Sequence, residues 1–86
     1  MNNIFDLRNI QVIQNGDANN YRTGGLYYFG ETGINVPTIF PLILVLGKGI
    51  DAAQICISYK TRLIYFRTNV NNVWNQWRSF NLSSIG

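Results

Sequence analysis

The sequence predicts an all-β fold, a small antiparallel β knob or sandwich with little helix. Three observations predict it. Short apolar or alternating segments recur along the 86 residues, asparagines and eight glycines separate these segments, and no segment of confident length has the 3.6-residue period of an amphipathic helix. The length allows one domain. We expect a lead-in segment at 1–16, the β domain at 17–80 and a C-terminal tail at 81–86.

The first half of the chain contains two short strand candidates. Residues 10–13 are mostly apolar, and a polar loop rich in Asn and Gly follows at 15–25. Residues 26–29 are Leu-Tyr-Tyr-Phe, and aromatic residues favour strands. A second loop at 30–37 carries two glycines and a proline.

The second half predicts a more regular sheet. Residues 42–46 are apolar at every position, which is typical of a strand buried on both faces. Residues 53–59 and 63–68 alternate with a period of two and are joined by a short connection, so they predict an antiparallel hairpin. A polar loop at 69–72 and a final strand at 74–80 complete the prediction.

The composition argues against an enzyme. The chain has no histidine and only four acidic residues, so a histidine base and every His-containing triad are absent from it. The acids lie in or beside predicted loops, with no pattern that brings two of them together as glycoside hydrolysis requires: Asp6, Asp17, Glu31 and Asp51. The single cysteine, Cys56, excludes an internal disulfide, and we read it as a small buried apolar residue. We expect no cofactor and no metal.

The distribution of charged and apolar residues limits the kinds of partner that the chain is expected to bind. Seven Arg and Lys residues give a net charge of +3, but they are dispersed, and nucleic-acid binding needs clustered charge. The longest apolar run is far shorter than a membrane-spanning helix, and the first residues lack the pattern of a signal peptide. We therefore expect neither nucleic-acid binding nor membrane insertion. The chain is 47% hydrophobic, which is much for so small a monomer to bury, so association is expected.

The order of the motifs resembles the pyocin-knob family, small β domains of the tail fibres of bacteriophages and phage-tail-like bacteriocins. The resemblance covers about residues 17–80. Its motifs, in order, are Gly24-Gly25-Leu26-Tyr27, Asn35-Val36-Pro37, Leu42-Ile43-Leu44-Val45, Ala53-Gln54-Ile55-Cys56-Ile57, Leu63-Ile64-Tyr65-Phe66-Arg67 and Trp74-Asn75-Gln76-Trp77. One departure from the family pattern is an extra residue, or a shifted glycine, before Tyr27. The resemblance implies a homotrimeric knob at a fibre end, made in the bacterial cytoplasm and carried on the virion, that contributes to attachment to the bacterial surface.

Six residues are candidates for binding bacterial surface glycan. Aromatic faces pack on sugar C–H groups, and amides and guanidinium groups bond hydroxyls. The candidates are Trp74, Tyr59, Tyr65, Arg67, Asn71 and Asn72. The alternative for each is structural: core packing, subunit contacts or ordinary turn chemistry. Of the two tryptophans, we expect Trp77 in the core and Trp74 partly exposed. The candidates for the trimer interface are Leu42, Leu44 and Leu46, because that strand has no polar face.

Three functions remain open at this point. The first is a receptor-binding module that reads surface polysaccharide. The second is a structural virion module that trimerises, caps or decorates a larger fibre or virion protein without touching the host. The third and weakest is a cellular carbohydrate-binding module attached to an enzyme, which a monomeric state would favour.

Overall fold

The computed structural model describes residues 10–30, 32–48 and 50–80. The described chain is mostly β, as predicted, with one short 3₁₀ helix at Ala18–Asn20. Its strands are β1 Gln11–Val12, β2 Gly25–Tyr28, β3 Pro41–Lys48, β4 Asp51–Ser58, β5 Leu63–Val70, β6 Val73–Trp74 and β7 Arg78–Ser79. The first nine residues of the expected lead-in and the expected tail at 81–86 lie outside the described residues.

The seven strands form one sheet in the order β1 to β6, with β7 also paired to β5. All neighbours are antiparallel except β1 and β2, which are parallel. The predicted hairpin is β4–β5, and its register pairs Ile55 with Phe66. The prediction of a sandwich is not met in the described residues, because a single sheet accounts for every strand in them.

One face of the sheet, here called the covered face, packs on the loops that surround it. Ile43, Val45 and Cys56 are fully buried there. Tyr27, Phe29 and Ala18 complete the buried cluster, and partly buried side chains pack against it: Ile13, Tyr21, Val36, Tyr65 and Trp77. The core therefore lies between the sheet and the chain that connects β1 to β2 and β2 to β3.

The opposite face, here called the open face, is apolar and partly exposed. The strand alternation places on it Leu26, Tyr28, Leu42, Leu44, Leu46, Ala53, Ile55, Ile57, Ile64 and Phe66. Ile57 is 48% exposed, Leu46 38% and Phe66 36%. The prediction that residues 42–46 are buried on both faces is thus wrong. The sheet is a single layer, so β3 buries Ile43 and Val45 and leaves alternate residues half-buried or exposed.

Both faces of the sheet carry apolar side chains, and the buried polar side chains lie on the covered face. The covered face buries Gln54, Ser58, Arg67 and Asn69, at most 5% exposed, between its apolar side chains. The open face carries the aliphatic residues of the same strands. A soluble antiparallel sheet normally turns its apolar side inward and its polar side to water. The open face is therefore an apolar surface that the described chain leaves partly exposed.

The predicted final strand at 74–80 is divided in two. Val73 and Trp74 pair with Val70 and Asn69, whereas Arg78 and Ser79 pair with Phe66 and Tyr65. Residues 75–77 leave the sheet between these pairings, although the Asn75 N–H still donates to the Thr68 carbonyl at 2.9 Å. The prediction of one continuous strand is wrong because the two tryptophans anchor this segment elsewhere, as described below.

The buried thiol makes stability depend on pH. Cys56 is free and fully buried, and burial raises its pKa to about 12 from 9.0. The folded state thus keeps a proton that the unfolded state loses, so stability falls as the pH rises from 9 towards 12. We expect this thiol to lower the free energy of unfolding by about 1 kcal/mol at pH 10. Urea unfolding at pH 8 and pH 10 measures it. Cys56→Ala should show a correspondingly smaller drop, and an equal drop in both proteins would contradict the prediction.

Candidate binding site

The centre of the site is the guanidinium of Arg67, held between two indole rings. Arg67 extends from the middle of β5 onto the covered face and is 5% exposed. Its guanidinium carbon lies 4.0 Å from the ring centroid of Trp74 and 4.6 Å from that of Trp77. Both distances are in the range of favourable cation–π contacts, which strengthen when water is excluded. The two tryptophans are therefore fixed by one side chain.

Each indole N–H is bonded to the backbone of a loop. Trp74 Nε1 donates to the Asn19 carbonyl at 3.1 Å, and Trp77 Nε1 donates to the Asn35 carbonyl at 2.8 Å. These bonds satisfy the polar end of each ring, as half-buried tryptophans require. They also connect the C-terminal segment to both loops that cover the sheet.

Gln54 joins the same cluster to the sheet. Its amide oxygen accepts from Arg67 Nε at 2.9 Å, and its amide nitrogen donates to the carbonyls of Ala18 and Tyr21, each at 2.8 Å. Gln54 is opposite Arg67 in the β4–β5 register, which makes the first bond possible. This explains a fully buried glutamine, since a buried amide needs partners for both ends.

The cluster holds a positive charge that no carboxylate of the described residues contacts directly. Burial lowers the pKa of Arg67 to about 10, while Asp17 acts in the opposite direction without accepting a hydrogen bond from it. Arg67 stays charged at neutral pH. One of its terminal nitrogens, both amide atoms of Asn69 and Oδ1 of Asn19 are buried without a hydrogen-bond partner among the described residues. Several buried donors and acceptors at the cluster therefore make no hydrogen bond within the described residues.

A pocket of about 490 Å³ lies between the middle of β5 and residues 75–78, and we call it the edge pocket. It is lined by Phe66, Arg67, Thr68, Asn75, Gln76 and Arg78. Its volume is in the range of small-molecule sites. Both tryptophans contact Arg67, and the two amide residues between them lie outside the strand pairing, although Asn75 stays bonded to Thr68 of β5. Asn75 Nδ2 donates to Thr68 Oγ1 at 2.9 Å and fixes one wall.

The polar lining of the edge pocket faces solvent. Asn75, Gln76 and Arg78 are exposed, and no described residue accepts a hydrogen bond from the Gln76 amide or the Arg78 guanidinium. Phe66 adds an aromatic ring, with the Phe80 ring centroid 5.2 Å from it. Amides, a guanidinium and a partly exposed ring together suit a hydroxylated ligand.

Three of the predicted glycan-binding residues are in or near this region. Arg67 lines the pocket, but its guanidinium is turned to the covered face between the rings. Trp74 is half-buried, and its ring stacks on Arg67. Tyr65 is half-buried and packs against the core. Trp77 also packs against the core, as expected, although it is only half-buried.

The other three predicted residues lie at the two ends of the sheet. Tyr59 is 62% exposed in the turn between β4 and β5. Asn71 and Asn72 form the turn between β5 and β6 with φ angles of 52° and 68°. Two consecutive left-handed residues are what a type I′ hairpin turn requires, and asparagine tolerates them well. The structure does not bring Tyr59 together with these asparagines, because the eight residues of β5 separate them by about 27 Å.

The predicted interface residues Leu42, Leu44 and Leu46 share the open face. They are opposite Ile57, Ile55 and Ala53 in the register. The structure thus places all three on the apolar surface that the described chain leaves uncovered.

The sequence reasoning missed most of the edge pocket. It assigned Gln76 and Arg78 to a strand and gave Phe66 no role beyond a strand face. The spacing of the tryptophans was the available signal. Residues three apart point to opposite sides of a regular strand, so two structural tryptophans at that spacing imply that the intervening chain departs from a strand.

No helix in the described part of the chain is long and apolar enough to cross a membrane. Within residues 10–30, 32–48 and 50–80, no cluster of three or more potential metal-ligating side chains occurs. Comparisons with protein-family models, curated proteins and solved structures find no match to this chain.

Proposed function

We propose that this chain is a non-enzymatic attachment module of a phage or phage-like tail fibre that binds bacterial surface glycan in the edge pocket. In this proposal it acts as a homotrimer on the virion, joined to a larger fibre or virion protein. The observation that carries the proposal is the edge pocket, with its unpaired amide and guanidinium groups beside an aromatic ring.

The chemistry of the pocket supports a saccharide. Gln76 and Arg78 offer donors and an acceptor that make no hydrogen bond within the described chain, and sugar hydroxyls need both. Phe66 supplies an apolar surface for ring C–H groups. The walls are fixed by Asn75 and by the Arg67–tryptophan stack, so a ligand would meet a largely preformed site, which lowers the entropy cost of binding.

The open face supports the trimer. β3 and β4 carry the candidate interface leucines and the isoleucines opposite them, and each strand has eight residues. At about 4.8 Å between strands and 3.4 Å per residue, their open side spans roughly 10 by 27 Å, or about 270 Å², and it leaves Phe66 of β5 to the edge pocket. The largest apolar patch of a monomer is commonly a few hundred Å² and is often functional. Copies of the same face are mutually complementary, because each offers aliphatic side chains and can associate with rotational symmetry.

The motif order supports the tail-fibre context. Its distinctive end is a strand closing on Arg67, an asparagine turn and Trp74-Asn75-Gln76-Trp77. In this chain those elements form one physical unit, the stacked guanidinium and the pocket next to it. Direct contact between Arg67 and both tryptophans is consistent with the resemblance to the pyocin-knob family described above.

The open face also favours a second function. A module that only trimerises, caps or decorates a fibre needs an adhesive apolar surface and no ligand pocket. In that case the edge pocket would be a consequence of the tryptophan packing.

Adsorption of the purified protein to bacterial cells and to a glycan array tests the proposal. We expect wild-type protein to bind specific cells, and Gln76→Ala/Arg78→Ala to bind at least about tenfold more weakly, because it loses several hydrogen bonds of about 0.5–1.5 kcal/mol each. Both residues are exposed, so the fold should tolerate the change.

Asn20→Ala is the matched control, since Asn20 is an exposed amide outside the pocket. It should bind like wild type. Stable oligomers of the wild type that adsorb to no cell and no glycan would favour the assembly function. Equal adsorption of wild type and the double variant would exclude the edge pocket as the binding site.

A further inference from the structure

A second exposed cluster lies at one end of the sheet, where the turn between β4 and β5 meets the loop before β3. Ser58 holds these segments together: its hydroxyl donates to the Ile39 carbonyl at 3.2 Å and accepts from the Thr61 N–H at 3.3 Å. Ser58 is fully buried, so the connection is shielded from water. We call the side chains of Phe40, Tyr59, Lys60 and Arg62 the tip.

The tip combines two aromatic rings with a cation. The ring centroids of Phe40 and Tyr59 are 6.1 Å apart, and the planes are inclined by 44°. Lys60 Nζ lies 5.3 Å from the first centroid and 5.8 Å from the second. Cation–π attraction therefore holds the ammonium group beside both rings. Tyr59 is 62% exposed, so its ring is available to a ligand.

Among the described residues, the two with positive φ that are neither asparagine nor glycine are both at the tip. Phe40 has a φ of 51° and Arg62 a φ of 59°, in the left-handed region that bulky side chains disfavour. Backbone bonds hold both residues: Phe40 N–H donates to Gly30 O at 3.2 Å, and Arg62 N–H to Ser58 O at 2.8 Å. Such strain persists only where the surroundings impose it, and it clusters at functional sites. Here it fixes the backbone from which one ring and one cation extend.

The positive charge of the tip has no partner in the described chain. No described residue accepts a hydrogen bond from the Lys60 ammonium or the Arg62 guanidinium. The described carboxylates act elsewhere: Asp17 accepts from Asn35, and Asp51 accepts from the Asn71 N–H in the turn at the other end of β5. As far as the described residues are concerned, the ammonium donors and the guanidinium fork are thus left for an anion.

We infer that the tip binds an acidic saccharide, with the carboxylate or phosphate group on Lys60 and Arg62 and the sugar ring against Tyr59 and Phe40. This inference rests on the proposed glycan-binding role and names the ligand class at a second site. Arg62 precedes Phe66 of the edge pocket by four residues, about 14 Å along the strand. Two clustered cations are too few for a nucleic-acid site, which typically contacts 6–10 phosphates.

Binding to carboxymethyl dextran and to unmodified dextran of the same length tests the inference, because the two polymers differ only in charge. We expect wild-type protein to prefer carboxymethyl dextran, more strongly at 50 mM than at 200 mM salt. Lys60→Gln and Arg62→Gly should each lower that affinity about threefold. Glycine relieves the strain at position 62, so the loss would not come from unfolding.

Two matched variants separate a site from general charge attraction. Arg22→Gln removes one charge away from the tip, where Arg22 contacts Asn72, and it should leave the affinity within 1.5-fold of wild type, roughly the scatter expected of a distant exposed charge. Tyr59→Ala keeps every charge and should still weaken binding about threefold if the ring contacts sugar.

Three results would overturn the inference. The first is no preference of the wild type for carboxymethyl dextran. The second is equal losses in Arg22→Gln and Lys60→Gln with Tyr59→Ala unaffected, which would mean charge attraction alone. The third is tighter binding of a DNA duplex that fails in the same variants, which would make the tip a nucleic-acid site. Cell adsorption through the edge pocket would persist in each case if the proposed function is correct.

Discussion

Replacement of Arg67 by alanine is expected to lower the free energy of unfolding by about 3–4 kcal/mol. The change removes two ring contacts, leaves Oε1 of Gln54 buried without its partner and opens a cavity between Trp74 and Trp77. Relief from burying a cation offsets part of this loss. Small domains have little stability to spare, so a fraction of the variant should be unfolded at 37 °C. Chemical denaturation at one fixed protein concentration measures the effect.

Arg67→Lys and Arg78→Ala are the control variants for that experiment. Lysine keeps the charge but lacks the planar group that lies between two rings, so it should recover about half of the loss. Arg78 is exposed, and its replacement should change the free energy of unfolding by less than about 0.5 kcal/mol. If Arg67→Ala unfolds at the wild-type denaturant concentration, the stack does not hold the C-terminal segment.

Leu44→Glu is expected to convert an oligomer into monomers. Leu44 lies in the middle of the open face, between Leu26 of β2 and Ile55 of β4. An interface that buries the new carboxylate must remove it from water without a partner, at a cost of several kcal/mol. The association constant should therefore fall by more than about 100-fold. Sedimentation velocity at micromolar concentration measures the change.

Asn20→Glu adds the same charge at an exposed position of the 3₁₀ helix, away from the open face, and should sediment like wild type. Circular dichroism should show the same β content in both variants. A monomeric wild type at micromolar concentration would reject the trimer. An oligomeric Leu44→Glu protein would place the contact on another surface.

The sequence predicted strands where local pattern and turn chemistry agree. Residues 53–59 and 63–68 alternate regularly on either side of a short connection, and the β4–β5 hairpin follows. The two asparagines after β5 predicted a turn, and their left-handed conformation shows why that residue type is suitable there. Both signals depend only on residues that are close in sequence, so they predict the hairpin and the turn without knowledge of the tertiary contacts.

The choice of the covered face could not be read from the same alternation. A period of two separates Gln54 and Cys56 from Ile55 and Ile57 but does not say which set is inside. Hydrophobicity alone would bury the isoleucines. The structure buries the glutamine instead because Arg67 and the carbonyls of residues 18 and 21 meet all its bonding needs, and these partners are distant in sequence.

The edge pocket could not be predicted from the sequence for a related reason. Its shape depends on Trp74 and Trp77 meeting one guanidinium from another strand, a contact that no local pattern encodes. Trp74 is a binding candidate in the sequence because a partly exposed ring is expected there, and the ring is half-buried. Because Arg67 contacts both rings, the groups left to bind a ligand are the polar side chains of Asn75, Gln76 and Arg78.

The outward-facing aliphatic side of the sheet has a consequence for how the protein behaves at different concentrations. If copies cover one another there, folding and assembly share one equilibrium, and mass action raises the melting temperature as the protein is concentrated. Dilution would then weaken the fold itself, so newly made chains would depend on meeting their partners quickly.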